Sequence, residues 1–292
     1  MKKLGILHPG EMGISIAASA QNSGCKVYWV SKDRSDQTRR RAELHHLEDA
    51  RTLKNLCQIS DVIVSVCPPD AAEEVSKQVL AAGFQGLFID ANAISPQRSI
   101  NIWQAFEDHG LDVVDGSIIG GPAWQPGRTW LYLSGAKAHQ AAEYFSAGPL
   151  EIEIIGDKIG KASALKMCFA AYTKGTTALL SAILAASEEL GVRDELEKQW
   201  SRGDTNFTEQ TQQRVRHVTA KAWRFEGEMK EIASTLAGVG IPAGFHIAAG
   251  EIYHRMADFR YAAETPKLAE VLEALLLKSA YCDQSDDQNT PD

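Results

Sequence analysis

The sequence predicts a doubly wound α/β domain, then a long helix, then an all-helical domain. Three observations predict it. Short β-rich runs alternate with amphipathic helical stretches through the first half; a strand, a glycine turn and a small-residue helix open the chain; and the strand pattern stops near Gly160. The candidate strands are Lys3–Leu7, Lys26–Val30, Asp61–Val66, Gly86–Asp90, Leu111–Val114, Trp130–Leu133 and Glu151–Ile155. Amphipathic stretches such as Ala71–Ala82 and Pro96–His109 fall between them. Such alternation implies right-handed crossovers and a parallel sheet covered on both faces. Lys161–Leu190 holds no proline and the single glycine Gly175, and ends at Gly191, a C-cap residue. Thirty helical residues reach about 45 Å. Phe169–Ala186 is apolar or small nearly all round, the pattern of a helix buried on several sides, with a second subunit as one cover. The expected division is residues 1–160 as the α/β domain, 161–282 as the long helix with the all-α domain, and 283–292 as a polar, acidic, disordered tail.

At 292 residues, with 44% hydrophobic and 23% charged residues, the chain has length for two cores. A formal net charge of −8 argues against a nucleic-acid or anionic membrane surface. No uninterrupted apolar run reaches the length of a bilayer span, so no membrane segment is expected. The N-terminal apolar run is too short for a signal sequence and breaks at His8-Pro9-Gly10. The five cysteines (Cys25, Cys57, Cys67, Cys168, Cys282) lie scattered, without metal-ligand spacing. Reduced thiols, a cytoplasmic location and no metal are the expectation.

The opening turn carries the chemistry. His8-Pro9-Gly10-Glu11-Met12-Gly13 has the spacing of G-x-G-x-x-G, with His8 at the first glycine and Gly10 and Gly13 at the second and third. Strand, turn and helix in that order leave backbone N–H groups at a helix N-terminus, where hydrogen bonds and the dipole favour a pyrophosphate. A glycine in first place allows the tight turn, so Pro9 is expected to set an alternative turn with His8 packed at the strand end. The residue closing the second strand reads the adenosine ribose: a carboxylate suits NAD, its absence with arginine nearby suits the 2′-phosphate of NADP. Here Ser31 takes that place, and Lys32, Arg34 and Ser35 follow as phosphate donors. NADP is therefore expected ahead of NAD, with Asp33 in the NAD role as the alternative. Arg39-Arg40-Arg41 lies further into the next helix, where a charge run is a solvated face.

Several segments together resemble the β-hydroxyacid dehydrogenase superfamily, which includes 6-phosphogluconate and 3-hydroxyisobutyrate dehydrogenases. Gly10-Glu11-Met12-Gly13 is similar to its G-x-M-G turn. Val66-Cys67-Pro68-Pro69 matches the loop that passes over the cofactor, and Ile89–Pro96 resembles its D-x-S-T-x-S-P segment with Asn92 inside. Asp115–Gly121 falls where the family has D-A-P-V-S-G-G, and Gly160 with Lys166 keeps its G-x-x-x-x-x-K spacing. The match covers about the first 190 residues. It is tightest to an NADP-binding, phosphogluconate-dehydrogenase-like branch that shares the His-Pro-Gly turn, Thr173-Lys174-Gly175 and the helical segment Glu228–Ala233.

The resemblance implies a homodimeric enzyme that moves a hydride between NADP and a small hydroxy acid or related alcohol–carbonyl pair. Lys166 is then the general acid/base, with desolvation and the helix dipole lowering its pKa. The implied cofactor contacts are His8 to Gly13, Ser31, Lys32, Arg34, Ser35, the Cys67-Pro68-Pro69 loop and Asn92. The implied substrate contacts are Ser117, Gly120, Gly121, Thr173 and Lys174. Two departures stand out. Phe169 and Ala170 occupy the helix positions where the family places an asparagine, and Ile119 replaces the serine of S-G-G, so the pocket is expected to be more apolar. Asp115 is expected to cap or hydrogen-bond near the site. Trp124 and Trp130 flank a loop, Pro122–Arg128, that either covers the substrate or packs inside. Two other readings use the same residues: an imine-type C=X reductase, and a non-catalytic NADP-binding sensor or scaffold.

Overall fold

The structure, a computed structural model, describes residues 1–203 and 205–276. The tail 283–292, Cys282 and the end of the predicted second domain lie outside the described residues. The chain forms two compact units: Met1–Ala170 with Ser234–Ile241, and Ala171–Ala233 with the chain from Pro242 onward. The division at Ala170 falls inside the predicted long helix and not at its start.

The first unit is built on β1 (Lys3–Ile6), α1 (Glu11–Asn22), β2 (Lys26–Trp29), α2 (Asp36–Leu44), β3 (Glu48–Asp49), α3 (Leu53–Ile59) and β4 (Val62–Ser65). It continues through α4 (Ala72–Ala81), β5 (Leu87–Asp90), α5 (Pro96–Glu107), β6 (Val113–Gly120), β7 (Thr129–Ser134), α6 (Ala138–Ala142), β8 (Glu151–Ile154) and α7 (Lys161–Ala170). The eight strands form one sheet in the order β3-β2-β1-β4-β5-β6-β7-β8. The expected all-parallel sheet is corrected at one ladder. β6 runs on past Val114 to Gly120 and turns back antiparallel into β7, because the short 121–128 connection cannot hold a crossover helix. Two-residue β3 carries no hydrophobic signal and was not visible in the sequence.

Strand side chains alternate strictly between two cores. Ile6, Val62, Val64 and Ile89 face α1, α2 and α6, whereas Ile63, Phe88 and Val113 face α3, α4 and α5. β4 and β5 are buried along their whole length, as strands covered on both faces must be. Phe88 stacks on Phe106 of α5 at 4.7 Å between centroids. Ser35 and Thr52 cap α2 and α3, each accepting the N–H three residues on. A Cβ on Gly13 would lie 2.1 Å from the His8 carbonyl oxygen, so only glycine lets α1 sit this close to the end of β1.

The second unit is helical: α8 (Thr176–Glu189), α9 (Arg193–Gly203), α10 (Phe207–Gly238, its last turn counted with the first unit), α11 (Gly244–Arg255) and α12 (Leu268–Leu276). The predicted long helix over Lys161–Leu190 runs unbroken from Lys161 to Glu189, as α7, a π turn over Ala171–Gly175, and α8. Gly191, at φ +67°, ends α8 as expected. By length and composition alone the run Lys161–Glu189 is long and apolar enough to cross a membrane, a test that the core helix of a globular protein also passes. Of its most apolar window 44% is buried within the protein, and α8 packs on α11 and α12, which accounts for its apolar character.

Gly13→Ala should cost about 2–3 kcal/mol in urea unfolding through overpacking against the His8 carbonyl. Gly10→Ala, whose Cβ would stand in open space, should cost far less in the same measurement.

Candidate functional site

The parallel strands β1, β4, β5 and β6 end on one edge, and in doubly wound sheets ligands bind outside that edge. β1 leaves it through His8–Gly13. Gly10 is the N-cap of α1 and no side chain caps the helix, so its first-turn N–H groups and the positive dipole end face outward. The turn is held from two sides. Gly10 N–H donates to the His8 carbonyl at 2.8 Å, and the Arg41 guanidinium donates to the Pro9 carbonyl at 3.3 Å.

Beside the turn, at the end of β2, lies a cavity of about 290 Å³ walled by Leu7, His8, Val30, Arg34, Leu53 and Val75, with Lys32 and Asp33 at its rim. Among the residues that line it, His8 Nδ1 and Arg34 Nε are buried away from the open space and find no partner in the protein. Burial, and then the Arg34 charge, hold the His8 imidazole down at about 4. Burial likewise lowers Arg34. Apolar walls beside the Lys32 and Arg34 side chains suit the adenosine end of a dinucleotide, so the residues present fit that group.

The neighbouring residues divide by role. Ser31 is tied by its N–H to the Asp49 carboxylate at 3.2 Å, which also accepts from Arg51 N–H. Ser35 serves as the N-cap of α2. The Arg39–Arg41 run is corrected: Arg39 Nε donates to the Arg34 carbonyl at 3.2 Å and Arg41 reaches Pro9, so only Arg40 of the three is fully exposed. The signal was present in the α2 register, where Thr38, Arg41, Ala42 and His45 share the inward face.

Asn92, fully buried, acts on the cofactor loop and not through an exposed amide. Its Oδ1 accepts from Cys67 N–H at 2.6 Å, and its Nδ2 donates to Ser65 Oγ at 3.1 Å and to Asp90. The start of the Cys67-Pro68-Pro69 loop is thereby fixed to the end of β5. Burial pushes the Cys67 thiol up to about 12, so no thiolate forms there at neutral pH. Burial, with the nearby Asp115 carboxylate second, pushes Asp90 up to about 7.

Lys166 is placed by a buried cap. Asp115 on β6 accepts from Gly160 N–H at 2.9 Å, Ser163 N–H at 3.1 Å, Ser163 Oγ at 2.7 Å and Ser134 Oγ at 3.0 Å. Ser134 Oγ in turn accepts from Ala162 N–H at 3.1 Å. The first turn of α7 is thus satisfied from two strands, as expected of Asp115. One and a half turns on, Lys166 Nζ donates to the Ile118 carbonyl at 2.7 Å, at the end of β6 and so at the ligand edge of the sheet. Ser117 is buried beside it, with no partner for its Oγ. Gly121 is open, whereas Gly120 is needed for the hairpin: at φ +123° its Cβ would meet the Arg128 carbonyl at 2.2 Å.

In the helical unit the expected substrate contacts are corrected, and in the hairpin packing is the alternative observed. Lys174 is not free for a ligand: it is ion-paired with Glu228, with its ammonium 4.1 Å from the Phe225 ring, while Tyr253 donates to its carbonyl at 2.7 Å. Burial pushes Lys174 down. Thr173, also in the π turn, accepts on its carbonyl from Thr177 Oγ1 and from Arg214. The Pro122–Arg128 loop is anchored over the first unit, with buried Ala123 in the α1 core and Trp124 stacked on His45 at 5.1 Å.

Replacing Asp115 by Ala should cost about 3 kcal/mol in chemical unfolding, because it leaves buried N–H and hydroxyl donors unpaired. Asp90 predicts a pH effect. Its folded value of about 7 lies above the unfolded 3.8, so the stability tied to its proton is complete below pH 4 and is lost as pH rises through 7. Wild-type stability relative to Asp90→Asn should therefore fall by up to about 1.4 kcal/mol per pH unit across that window, measured by urea unfolding at stepped pH.

Comparison with known proteins agrees with this geometry. Residues 3–144 match the NAD binding domain of 6-phosphogluconate dehydrogenase, and residues 187–256 match a domain of unknown function, DUF1932. A conserved protein of unknown function, described as structurally similar to 3-hydroxyacid dehydrogenases, is 26% identical, with 88% of this chain and 98% of that one covered at a TM-score of 0.66. The Mycobacterium tuberculosis 3-hydroxyisobutyrate dehydrogenase, solved with L-serine, shares the fold at 18% identity, 94% and 99% coverage and a TM-score of 0.68. An imine reductase variant from Myxococcus stipitatus in complex with NAD+ shares it at 18% identity, 94% and 100% coverage and a TM-score of 0.56. The chain thus joins a segment that matches the NAD binding domain of 6-phosphogluconate dehydrogenase to one that matches DUF1932, on a fold similar to that of 3-hydroxyacid dehydrogenases.

Proposed function

We propose that this protein is an NADP-dependent oxidoreductase that interconverts a small hydroxy acid, or a related alcohol, and its carbonyl partner. The observation that carries the reading is the position of Lys166: its Nζ stands at the end of β6, on the strand edge from which the open α1 turn also leaves. When bound, the nicotinamide supplies or takes the hydride. The chain's own residues do the rest. The α1 N-terminus receives the pyrophosphate, and Arg34 and Lys32 receive a phosphate at the adenosine end. Lys166, as the amine, takes the proton of the substrate hydroxyl, and as the ammonium returns it to the carbonyl oxygen. Asp115 and Ser134 hold the helix that carries it. Ser117 and the open Gly121 are the polar and backbone contacts for the substrate. Ile119 and Ala170, where a polar clamp would sit, favour a substrate with an apolar flank.

The same two residues support a second reading, a reductase of an imine-type C=X bond. The oxidoreductase proposal is tested by titrating the protein with NADPH and NADH while following nicotinamide fluorescence, then screening hydroxy acids, aldehydes and imines. Micromolar NADPH binding, much weaker NADH binding and turnover of a hydroxy acid are expected. Lys166→Ala should keep NADPH binding and lose turnover by about 10²–10⁴-fold. Tighter NADH binding would move the ribose contact to Asp33 and overturn NADP. Turnover of imines alone would select the second reading, and binding of neither nucleotide would sink both.

A further inference from the structure

The Cys67-Pro68-Pro69 loop leaves the ligand edge of the sheet with one backbone handle. Pro68 and Pro69 carry no N–H, so of the three residues only Cys67 has a backbone donor, and Asn92 Oδ1 accepts it at 2.6 Å. What keeps the Asn92 amide facing that way lies on its other side. Asn92 Nδ2 and the Asn92 backbone N–H both donate to Asp90 Oδ1, the backbone group at 3.4 Å. Ser65 Oγ also accepts from Nδ2, at 3.1 Å, but a hydroxyl donates as readily as it accepts and follows either orientation of the amide. Asp90 alone discriminates. It is 1% exposed, its Oδ1 is taken up by two N–H groups, and its Oδ2 is buried without a partner, so a proton arriving at the carboxyl goes to Oδ2. The groups facing it are Asp115 from β6, Cys67 just past β4 with Asp70 behind it, and Arg98 from α5, itself paired with Glu73 of α4 at 3.3 Å. On α7, Lys166 and Lys161 are turned to the Ile118 and Ile155 carbonyls.

We propose that Asp90 is a positioning residue: the state of its carboxyl decides which way the Asn92 amide faces, and through it whether the Cys67-Pro68-Pro69 loop is held. As a carboxylate Asp90 only accepts, which forces Nδ2 towards it and Oδ1 towards Cys67. As the neutral acid it also donates, so the reversed amide pairs with it too, Oδ2–H donating to the amide oxygen. Nδ2 then meets the Cys67 N–H donor to donor, and the loop loses its hold. Because burial and Asp115 push the carboxyl up to about 7, both states occur at neutral pH. The loop is therefore gripped as pH rises through 7 and released as it falls. Total stability runs the other way, since burial and Asp115 oppose the ionised form more than Asn92 favours it. That this loop serves a dinucleotide rests on the function proposed above; the amide clamp does not.

Amide NMR on the full chain without ligand tests the clamp. In wild type the Cys67 N–H signal should lie downfield at pH about 8.5, as a short hydrogen bond requires, and move upfield with a midpoint close to 7 as the pH is lowered to about 5.5. The Asp90 ¹³C carboxyl signal should share that midpoint. Asp90→Asn offers a donor and an acceptor at every pH, like the neutral acid, and should keep the Cys67 signal at its low-pH position throughout. A Cys67 signal that stays fixed in wild type, that follows a midpoint other than Asp90's, or that titrates alike in Asp90→Asn would overturn the proposal and leave Asp90 as packing. Fluorescence titration with NADPH then separates the clamp from what the loop serves. Wild type should bind several-fold more tightly than Asp90→Asn at the higher pH and equally at the lower. The same ratio at both would overturn the loop's control of the cofactor. No binding by wild type beside a titrating Cys67 signal would sink the dinucleotide reading and leave the clamp standing.

Discussion

The buried carboxylate of Asp115 is the contact on which the site depends. A carboxylate taken out of water is costly unless hydrogen bonds replace its hydration. Here four donors do so: two backbone N–H groups of the α7 start, the Ser163 hydroxyl and the Ser134 hydroxyl. The cap joins β6, β7 and α7 at one point. Because Lys166 lies within two turns of it on a rigid helix, the cap also sets where the ammonium reaches β6. A structural hydrogen-bond cluster and the placement of a reactive group are thus the same interaction.

Two helix N-termini in the first unit show opposite treatment of the same chemistry. Both present unpaired N–H groups and a positive dipole end. At α7 the groups are consumed by Asp115 and Ser134. At α1 the cap residue is Gly10, which has no side chain to offer, and the surrounding turn is braced from behind by Arg41. An anion is therefore attracted to α1 and has nothing to bind at α7. The Asn92 node adds a further constraint, since it fixes the backbone of the Cys67 loop and leaves the amide nothing to offer a ligand directly.

In the helical unit, burial also governs the charges. Lys174 and Glu228 are both shielded, with Lys174 over the Phe225 ring, so each is the other's compensation and removing one would strand the other. The π turn that holds Lys174 is kept open by Gly175, where a Cβ would come within 3.0 Å of the His246 ring. These residues belong to the internal order of the helical unit.

Much of the fold was legible from residue order. All seven expected strands exist: β4 and β5, buried along their whole length, are written as dense apolar runs, and the half-exposed β8 as an alternating one. The α1 turn was equally legible, because glycine spacing encodes close backbone approach locally: the clash at Gly13 and the open space at Gly10 follow from residues within one turn. The sequence by itself therefore determined seven of the eight strands, the glycine turn before α1 and the lysine on α7, but not the antiparallel β6–β7 ladder. Tertiary structure decided whatever required partners far apart in the chain. Arg41 meets Pro9 across 32 positions, Asp115 meets Ser163 across 48, and Lys174 meets Glu228 across 54. Lys174, expected at the substrate, and Arg41, expected in solvent, both found protein partners for this reason. A charged side chain is defined by what lies within a few ångströms of it, and periodicity along one helix carries no record of that neighbour.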